Sequence, residues 1–396
     1  MSHNLRVRAR QVLDDLGQIV GGQVRAQALR HTSWGADHAR TDWAGQARSA
    51  VAGIHPPSME LELREVVELS PTTRSLRFAR RDGRLPPFRA GQHVSLAVEI
   101  DGIRSSRPYS ISSVPGEPLL ELTLRDDPSG FVAPWLFRVQ PGWRTRSSGP
   151  TGTFHHEPLR DSDALVFVAG GTGITPFMAM LRELEILGWP RKATLIFGNR
   201  SPDDVPFAAE LRRMARGNPA FRVVFVYSDA PAAKRVRKGF IDGAVIRGVV
   251  PALDSATFFL CGPEPMLALV RGELAALGVP RRRVRSEDFG PPARITEQPG
   301  WPADLSPESL FELCVVGGER YPARAGEPLL VAMERAGLAP ASTCRTGACG
   351  DCRVKLVSGR VFVPEGTAVR QSDREHGYVH ACMAWPLEDC TIDAVR

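Results

Sequence analysis

The feature that most constrains this chain is a set of four cysteines near its C-terminus. Cys344, Cys349 and Cys352 follow the spacing C-x4-C-x2-C in the segment A-S-T-C-R-T-G-A-C-G-D-C, and Cys382 returns alone after a strand-rich interval. This spacing is typical of a loop that holds a plant-type [2Fe–2S] cluster, in which four thiolates surround two irons. The alternatives are unconnected core cysteines or a structural zinc site, which usually combines two short ligand pairs. The spacing therefore predicts these four cysteines as cluster ligands.

The residues around the cysteines suit a tight loop. Gly347, Ala348 and Gly350 permit a backbone path whose N–H groups point at the sulfurs. Arg345 and Arg353 flank the ligands and are expected to be exposed, either solvated or available to dock an acidic partner. Solvation is favoured in the absence of a partner.

Length and composition indicate a multidomain protein without disulfide bonds. At 396 residues the chain is long enough for about two to four domains, and 43% of its residues are hydrophobic. The remaining cysteines, Cys261, Cys314 and Cys390, suggest no disulfide framework. The formal net charge of +6 is spread thinly, without a basic run interleaved with aromatic residues, so no nucleic-acid partner is expected.

No targeting or membrane-spanning signal is recognised. The N-terminus lacks the apolar core of a signal peptide. Residues 164–181 carry no charge, but their interior G-G-T-G-I-T-P would break a spanning helix. We therefore expect a cytoplasmic protein with no transmembrane segment.

Residues 1–57 are the least patterned part of the chain. Val12, Leu13, Leu16, Ile19 and Val20 recur at helical spacing, which predicts an N-terminal helical extension. This helix is expected to pack on the next domain. Peripheral contact with a membrane surface, or with a partner, is the alternative.

Residues 58–156 show short strands with alternating apolar and polar residues, which predict an antiparallel β-barrel. Within it, R-P-Y-S-I-S-S brings Arg107, Tyr109 and Ser110 together on one strand. A guanidinium can bind phosphate in a forked geometry, a phenol can lie on an aromatic ring, and a hydroxyl can reach a ring nitrogen. The set suits a flavin, although an ordinary barrel strand would also account for it.

Residues 157–290 alternate strands and helices, which predicts an α/β domain with a parallel sheet. Its first strand runs into G-G-T-G-I-T-P, where Gly170, Gly171 and Gly173 precede a helix start. Unpaired N–H groups and the helix dipole favour a diphosphate there. Three further strands follow at A-T-L-I-F-G-N-R, F-R-V-V-F-V-Y-S and A-T-F-F-L-C-G-P.

The last part of the chain combines a linker and a small domain. Residues 291–306 contain four prolines and are predicted to form a semi-rigid linker. Residues 307–396 are predicted to form the cluster domain, with a helix at about 328–336. The segment C-R-V-K-L-V-S-G-R-V is expected to form a strand pair.

Six ordered motifs carry a family resemblance. R-P-Y-S, G-P-T-G-T-F, G-G-T-G-I-T-P, F-G-N-R, C-G-P and E-D-F precede the cysteine-rich domain. From about residue 58 onward the chain resembles the ferredoxin-NADP reductase superfamily. It is most similar to the flavin-first reductase components of bacterial multicomponent oxygenases, hydroxylases and desaturases, the group of phenylacetyl-CoA oxygenase reductase. The resemblance implies a flavin-binding β-barrel, a nucleotide-binding α/β domain and a C-terminal β-grasp ferredoxin domain.

By position, the resemblance implies a flavin site. Arg107 would contact the flavin phosphates, Tyr109 would pack on the isoalloxazine, and Ser110 would bond near its N5. The family segment S-G-F-V-A-P-W-L places Gly130 near the phosphate, although Ala133 stands where the family often has Ser or Thr. FAD is favoured over FMN. The implied cofactor-binding set in the barrel is Arg107, Pro108, Tyr109, Ser110 and Gly130.

The resemblance also implies a nicotinamide site and a catalytic set. The nucleotide would contact Gly170, Gly171, Thr172, Gly173, Asn199, Arg200, Ser228, Cys261, Gly262 and Pro263. The catalytic set would be Tyr109, Ser110, Cys261, Glu287 and Phe289. Asp229 follows Ser228 where NADPH users often have arginine, which favours NADH. The nearby Lys234, Arg235, Arg237 and Lys238 leave NADPH open.

Combined, these features predict a two-to-one electron converter. A nicotinamide gives two electrons as hydride and a [2Fe–2S] cluster takes one, so the flavin lies between them. We expect an NAD(P)H-dependent oxidoreductase that supplies a partner oxygenase, demethylase or desaturase. Alternatives are a reductase of a free ferredoxin or flavodoxin, and a redox-sensing module without sustained turnover.

Overall fold

Alternating side chains from six strands build the barrel at residues 59–156. The structure is a computed structural model that describes residues 51–229, 237–338 and 340–393. The strands are β1 Met59–Ser70, β2 Thr73–Arg80, β3 His93–Ile100, β4 Ile103–Ser110, β5 Leu120–Arg125 and β6 Arg144–Ser147, with a short helix α1 at Ala133–Leu136. They pair antiparallel in the order β4-β3-β6-β1-β2-β5.

The barrel closes just beyond the end of β4. Ile111 forms an antiparallel bridge with Leu122 of β5, and the Ser112 N–H donates to the Glu121 carbonyl at 2.9 Å. Met59 and Leu61 are fully buried inside, as the two-residue period of a strand requires. Residues 103–108 of β4 remain at the free edge of the sheet order.

A parallel five-stranded sheet forms the central α/β domain. Its strands are β7 Ala164–Gly170, β8 Lys192–Asn199, β9 Phe221–Tyr227, β10 Thr257–Cys261 and β11 Val284–Glu287. The helices are α2 Thr175–Ile186, α3 Ala208–Gly217, α4 Gly243–Val249 and α5 Glu264–Ala276, with 3-10 turns at Gly171–Ile174 and Arg281–Arg283. The four strands predicted from sequence are present, and β11 is a fifth.

The strand order of this sheet creates a crevice. The order is β11-β10-β7-β8-β9, so successive strands run outward on both sides of β7. Parallel sheets bind ligands beyond the carboxyl ends of strands at such a switch point. Here the switch lies between Gly170, at the end of β7, and Cys261, at the end of β10.

The C-terminal domain combines a mixed five-stranded sheet, a two-stranded sheet and two short helices. Its elements are β12 Leu310–Val315, β13 Arg320–Arg324, α6 Leu329–Arg335, β14 Arg353–Ser358, β15 Val361–Phe362, α7 Gln371–Glu375, β16 Tyr378–His380, β17 Trp385–Pro386 and β18 Cys390–Asp393, with 3-10 turns at Ile295–Glu297 and Ala381–Met383. The sheet order is β13-β12-β18-β14-β16. Leu329, Leu330 and Met333 of α6 are buried against it.

One strand prediction is wrong in its pairing. β14 and β15 both form, but they do not pair with each other. β14 lies between β16 and β18, and β15 pairs with β17. Gly359, with φ of +88°, and Arg360 separate the two strands, and Gly359 packs closely against Asp389 and Cys390, where β15 leaves β14.

The predicted linker packs on the C-terminal domain. Ile295 is 5% exposed and belongs to that domain's apolar core. The Trp301 ring meets Phe362 edge-on, with the centroids 5.4 Å apart. These contacts hold part of the linker against the C-terminal domain. The free length of the linker is therefore shorter, which restricts the position of this domain relative to the central domain.

A half-buried arginine joins the barrel to the central domain. Arg182 of α2 donates to the carboxylate of Glu121 at 2.7 Å and to the carbonyl of Ser112 at 2.8 Å, both in the barrel. It also bonds Glu210 of α3 at 2.8 Å. Burial opposes the charge, but the two carboxylates raise the pKa of Arg182 above its ordinary value. Residues 56–396 accordingly form one compact unit.

The predicted N-terminal helix lies outside the described residues. Within the described ranges, no helix combines the length and apolar character needed to cross a bilayer.

Candidate functional site

A large cleft lies where the barrel, the central domain and the C-terminal domain meet. Its volume is about 1110 Å³. Each domain contributes to the lining, which includes His93, Pro108, Gly170, Gly171, Thr172, Gly173, Gly262, Pro263, Glu287, Phe289, Cys344, Thr346 and Ala348. The cleft therefore joins the switch point of the parallel sheet to the cysteine loop. Pro108, from the barrel strand that carries R-P-Y-S, lines the same cleft.

Three polar side chains meet on the barrel side of this cleft. The Ser110 hydroxyl donates to Glu287 Oε2 at 3.3 Å. The other carboxylate oxygen of Glu287 lies 3.5 Å from Nδ1 of His93. His93 is paired with Ser110 across β3 and β4, so both side chains project from the same face of the sheet. The predicted pair Ser110 and Glu287 is thus brought together from strands that are 177 residues apart.

His93 is a site residue that the sequence reading missed. It is 9% exposed, and neither of its ring nitrogens has a hydrogen-bond partner among the described residues. A buried polar group without a partner is costly unless a ligand completes it. The only available signal was its place in A-G-Q-H at the start of a strand, which has no chemical meaning until Glu287 is placed beside it.

The other residues predicted at the flavin fall into two groups. Pro108 lines the cleft, and Tyr109 packs against the barrel core, where burial raises the pKa of its phenol to about 12. Arg107 instead donates to the Ser105 hydroxyl at 2.6 Å and to the Ser106 carbonyl at 2.8 Å. Burial and the charge of Arg345 lower the pKa of Arg107 to about 10.

Gly130 lies at the edge of this region. Its N–H donates to the carbonyl of Asp127 at 2.9 Å, and Asp127 itself lines the cleft. Arg125, which the sequence did not single out, also lines the cleft, with Nη1 3.7 Å from the position of a Cβ on Gly171.

The glycines of G-G-T-G allow two loops to pack against each other. A Cβ added at Gly173 would lie 2.1 Å from the carbonyl oxygen of Cys261 and 2.7 Å from Cα of Gly262. Glycine at position 173 therefore lets the ends of β7 and β10 come into close contact. That contact forms the floor of the crevice.

We expect Gly173→Ala to lower the free energy of unfolding by about 1–3 kcal/mol. The added Cβ would overlap backbone atoms of Cys261 and Gly262, which can move only together with their strand end. Gly248→Ala in α4 is the matched control, since a Cβ there meets no atom within 4 Å and alanine favours helix by about 1 kcal/mol. Urea unfolding of both variants measures the difference. Equal stability of the two variants would contradict the close contact.

Further nucleotide-site predictions lie at the carboxyl ends of the strands. Cys261 is fully buried, and burial together with the charges of Glu287 and Asp288 raises the pKa of its thiol. Asn199 ends β8 and is 9% exposed, and its side-chain nitrogen lacks a partner among the described residues.

The adenosine end of the predicted nucleotide site is more exposed to solvent than the part beside Cys261 and Asn199. Arg200 and Asp229 are both exposed, with Nε and Oδ2 3.9 Å apart. The Ser228 N–H donates to the Asn199 carbonyl at 3.1 Å. Lys234 and Arg235 lie outside the described residues, so the choice between NADH and NADPH stays a prediction.

The four cysteines of the predicted cluster converge. Hydrogen bonds from Cys349 and Cys382 lower the pKa of Cys344, and a hydrogen bond from Cys382 lowers the pKa of Cys352. No three described His, Cys, Asp or Glu side chains meet as ligands of a single metal ion would. A binuclear cluster needs two thiolates at each iron instead.

Backbone N–H groups point at these sulfurs, as the small residues of the loop predicted. The N–H groups of Thr346 and Cys349 approach Cys344 Sγ at 3.4 and 3.3 Å. Gly347, with φ of +77°, leaves room for Thr367 and Met383, and His380 Nδ1 bonds its carbonyl at 2.7 Å. The loop is thus arranged to surround anionic sulfur.

The prediction that Arg345 is exposed is wrong. Its side chain is 5% exposed and forms a buried ion pair with Glu334 of α6. The residue stands next to a ligand in sequence, but the loop turns it inward towards the barrel. Arg353 is 39% exposed and pairs with Asp373 at 2.9 Å, so only this arginine lies near the surface.

Comparison with protein families assigns a function to each part. An oxidoreductase FAD-binding domain matches residues 60–156, an oxidoreductase NAD-binding domain matches 167–272, and a 2Fe-2S iron-sulfur cluster binding domain matches 316–387. Together with the shared cleft, these matches define an NAD(P)H-dependent oxidoreductase that uses FAD and a [2Fe–2S] cluster. The predicted cofactor classes are confirmed.

Comparison with individual relatives narrows this class of oxidoreductase. The chain is 30% identical over 349 residues to the ferredoxin reductase component of 3-ketosteroid-9-alpha-monooxygenase from Mycobacterium tuberculosis, covering 84% of this chain and 94% of the relative. It is 35% identical to ferredoxin--NADP reductase B of Sorangium cellulosum, covering 60% and 99%. The phthalate dioxygenase reductase structure shares the fold, with a TM-score of 0.63 at 22% identity, covering 85% and 98%. The chain belongs to the ferredoxin-NADP reductase superfamily, among the reductase components of oxygenase systems.

Proposed function

We propose that this protein takes electrons from NADH and delivers them singly, through its cluster loop, to the terminal protein of an oxygenase, demethylase or desaturase system. The observation that carries the proposal is the shared cleft, where Pro108 of the barrel, Glu287, the Gly170–Gly173 turn and Cys344 line one volume. Ser110 bonds Glu287 beside it. Bound FAD supplies the exchange between two-electron and one-electron chemistry, which no side chain provides.

Each domain would hold its group with the residues predicted above. Arg107, Pro108, Tyr109, Ser110 and Gly130 would hold FAD, and the unpartnered nitrogens of His93 fit a ligand in the same place. The turn at Gly170–Gly173, with Asn199, Arg200, Ser228 and Cys261–Pro263, would hold the nucleotide. Cys344, Cys349, Cys352 and Cys382 would ligate the cluster. The proposed domain limits are 58–156 for the flavin domain, 157–290 for the nucleotide domain and 307–396 for the cluster domain.

Ser110, Glu287 and His93 would control a proton at the flavin edge. Glu287 accepts the hydrogen bond of Ser110 and therefore orients its hydroxyl. His93, on the far oxygen of Glu287, would exchange protons with that carboxylate. Phe289, 41% exposed in the cleft, would cover this edge, and Tyr109 would face the ring as a neutral phenol.

The acceptor would dock where the cluster loop is exposed. Cys344 lines the interdomain cleft, whereas Cys349 is exposed. Cys349 lines a separate hollow of about 280 Å³ together with Asp351, Arg353 and Arg370. One cluster cysteine in the cleft and one at the surface would suit an entrance and an exit for electrons.

Electron donor, acceptor and compartment complete the proposal. Asp229 after β9 favours a ribose hydroxyl over a 2′-phosphate, hence NADH. The similarity to ferredoxin--NADP reductase B supports reduction of a free ferredoxin as a second candidate. The proposed location is the cytoplasm, and contact of the N-terminal helix with a membrane surface belongs to the same set of proposals.

Anaerobic titration with NADH, and separately with NADPH, tests this function. We expect NADH to bleach the flavin and then the cluster bands, with about two irons per chain. Cytochrome c reduction should continue over many turnovers, unlike the single reduction of a sensor. A protein whose flavin bleaches while its cluster stays oxidised would contradict the proposal.

A further inference from the structure

The cluster loop meets the free edge of the barrel through hydroxyl groups. The Ser106 hydroxyl of β4 lies 2.9 Å from the Ser342 hydroxyl and donates to the Ser342 carbonyl at 2.8 Å. Ser342 is two residues before Cys344. The strand that carries R-P-Y-S therefore contacts the segment that enters the cluster loop.

Beneath this contact lies one buried carboxylate shared by three groups. Glu334 of α6 is 5% exposed and accepts a hydrogen bond from the Ser105 hydroxyl at 3.1 Å. It forms the buried ion pair with Arg345, and its Oε2 lies 3.9 Å from Arg107. Arg345 in turn donates to Ser105 at 3.2 Å. Ser105 and Arg107 belong to the barrel, and Glu334 and Arg345 belong to the C-terminal domain.

The backbone at Arg345 indicates that this arrangement is enforced. Its φ is +56°, a left-handed conformation that a non-glycine residue adopts at a cost unless its surroundings hold it. The buried contacts with Glu334 and Ser105 hold the side chain in place. Because Arg345 adjoins Cys344, which lines the cleft, these contacts fix one side of the cluster site relative to β4.

We propose that Glu334 is a positioning residue that holds the cluster loop against the flavin-binding strand through Arg345 and Ser105. The inference rests on the proposed function, since it concerns electron passage between the two sites. A surface ion pair would contribute little to such positioning. A buried carboxylate bonded across two domains restricts both partners.

Two variants test the proposal from opposite sides of the contact. Glu334→Gln removes the shared charge. Ser105→Ala removes the barrel hydroxyl that Glu334, Arg345 and Arg107 share, and FAD content checks that Arg107 is not disturbed by the change. In both we expect cytochrome c reduction to fall roughly 10-fold to 100-fold, as for displaced supporting groups. Ferricyanide reduction, which the flavin site performs alone, and iron content should be unchanged. Glu327→Gln, which breaks the exposed pair with Arg335 in the same domain, is the matched control.

Hydrogen–deuterium exchange gives a readout independent of turnover. Residues 103–108 and 340–348 should exchange faster in both variants and not in the control. Unchanged exchange and unchanged cytochrome c reduction in Ser105→Ala would overturn the proposal. An equal fall of both activities in Ser105→Ala would also overturn it, because a general loss of structure would then be the cause. If Glu334→Gln fails to fold, Ser105→Ala alone decides. Wild-type protein that never reduces cytochrome c would instead refute the proposed function.

Discussion

Replacing Cys382 by alanine is expected to abolish cytochrome c reduction and to reduce the iron content to near zero. Cys382 lowers the pKa of the Cys344 and Cys352 thiols, and it comes from a separate segment of the domain, so its loss would leave an open ligand position. Ferricyanide reduction by NADH should persist, since the barrel and the central domain do not depend on that ligand. Iron analysis and the visible spectrum measure the first effect, and the two acceptors measure the second.

Cys390→Ala is the matched control for this experiment. Both cysteines are 2% exposed in the core of the same domain, but the Cys390 thiol donates to the backbone carbonyls of Arg360 and Glu388 and not to another cysteine. We expect Cys390→Ala to keep its iron and both activities. Iron retained by Cys382→Ala, or lost from Cys390→Ala, would show that the ligand assignment is wrong.

Replacing Glu287 by glutamine is expected to slow flavin reduction by NADH about 100-fold, the size of a lost proton-transfer group. The amide keeps the shape of the side chain but removes the charge that orients Ser110 and faces His93. Flavin content and the KM for NADH should change little, because Glu287 is not proposed to bind the nucleotide. Stopped-flow absorbance at saturating NADH measures the rate.

A double variant separates a joint role from two independent ones. Ser110→Ala should slow the same step, and Ser110→Ala/Glu287→Gln should be little slower than either single variant, because residues that act as one unit are not additive. Glu99→Gln, an exposed substitution on β3, should behave as wild type. Rate losses that multiply in the double variant would contradict a shared role.

The elements that the sequence predicted well are those with a local signal. β3 begins and ends where the alternation of H-V-S-L-A-V-E-I does, and α6 lies within the predicted helix. The cysteine spacing required no tertiary information, since three of the four ligands come from one short loop. Side-chain periodicity and ligand spacing are properties of neighbouring residues, so they can be read directly from the chain.

Contacts between distant segments were beyond this kind of prediction. Ser105 and Glu334 are 229 residues apart, and Arg345 was expected at the surface because nothing near it in the sequence indicates a buried partner. His93 had no assigned role for the same reason. The pairing of β15 with β17 in place of β14 likewise depends on the return of the chain at Trp385–Pro386.

The sequence by itself determined the kinds of domain and the types of cofactor, and it predicts the cluster ligand set, because each depends on residues close together along the chain. Only the tertiary structure decided that one cleft is shared by all three domains, that Glu287 meets Ser110 and His93, and that Glu334 joins the cluster loop to the barrel. The physical reason is that these contacts form between surfaces that exist only after each domain has folded. Their distances and burial are then set by how the domains pack.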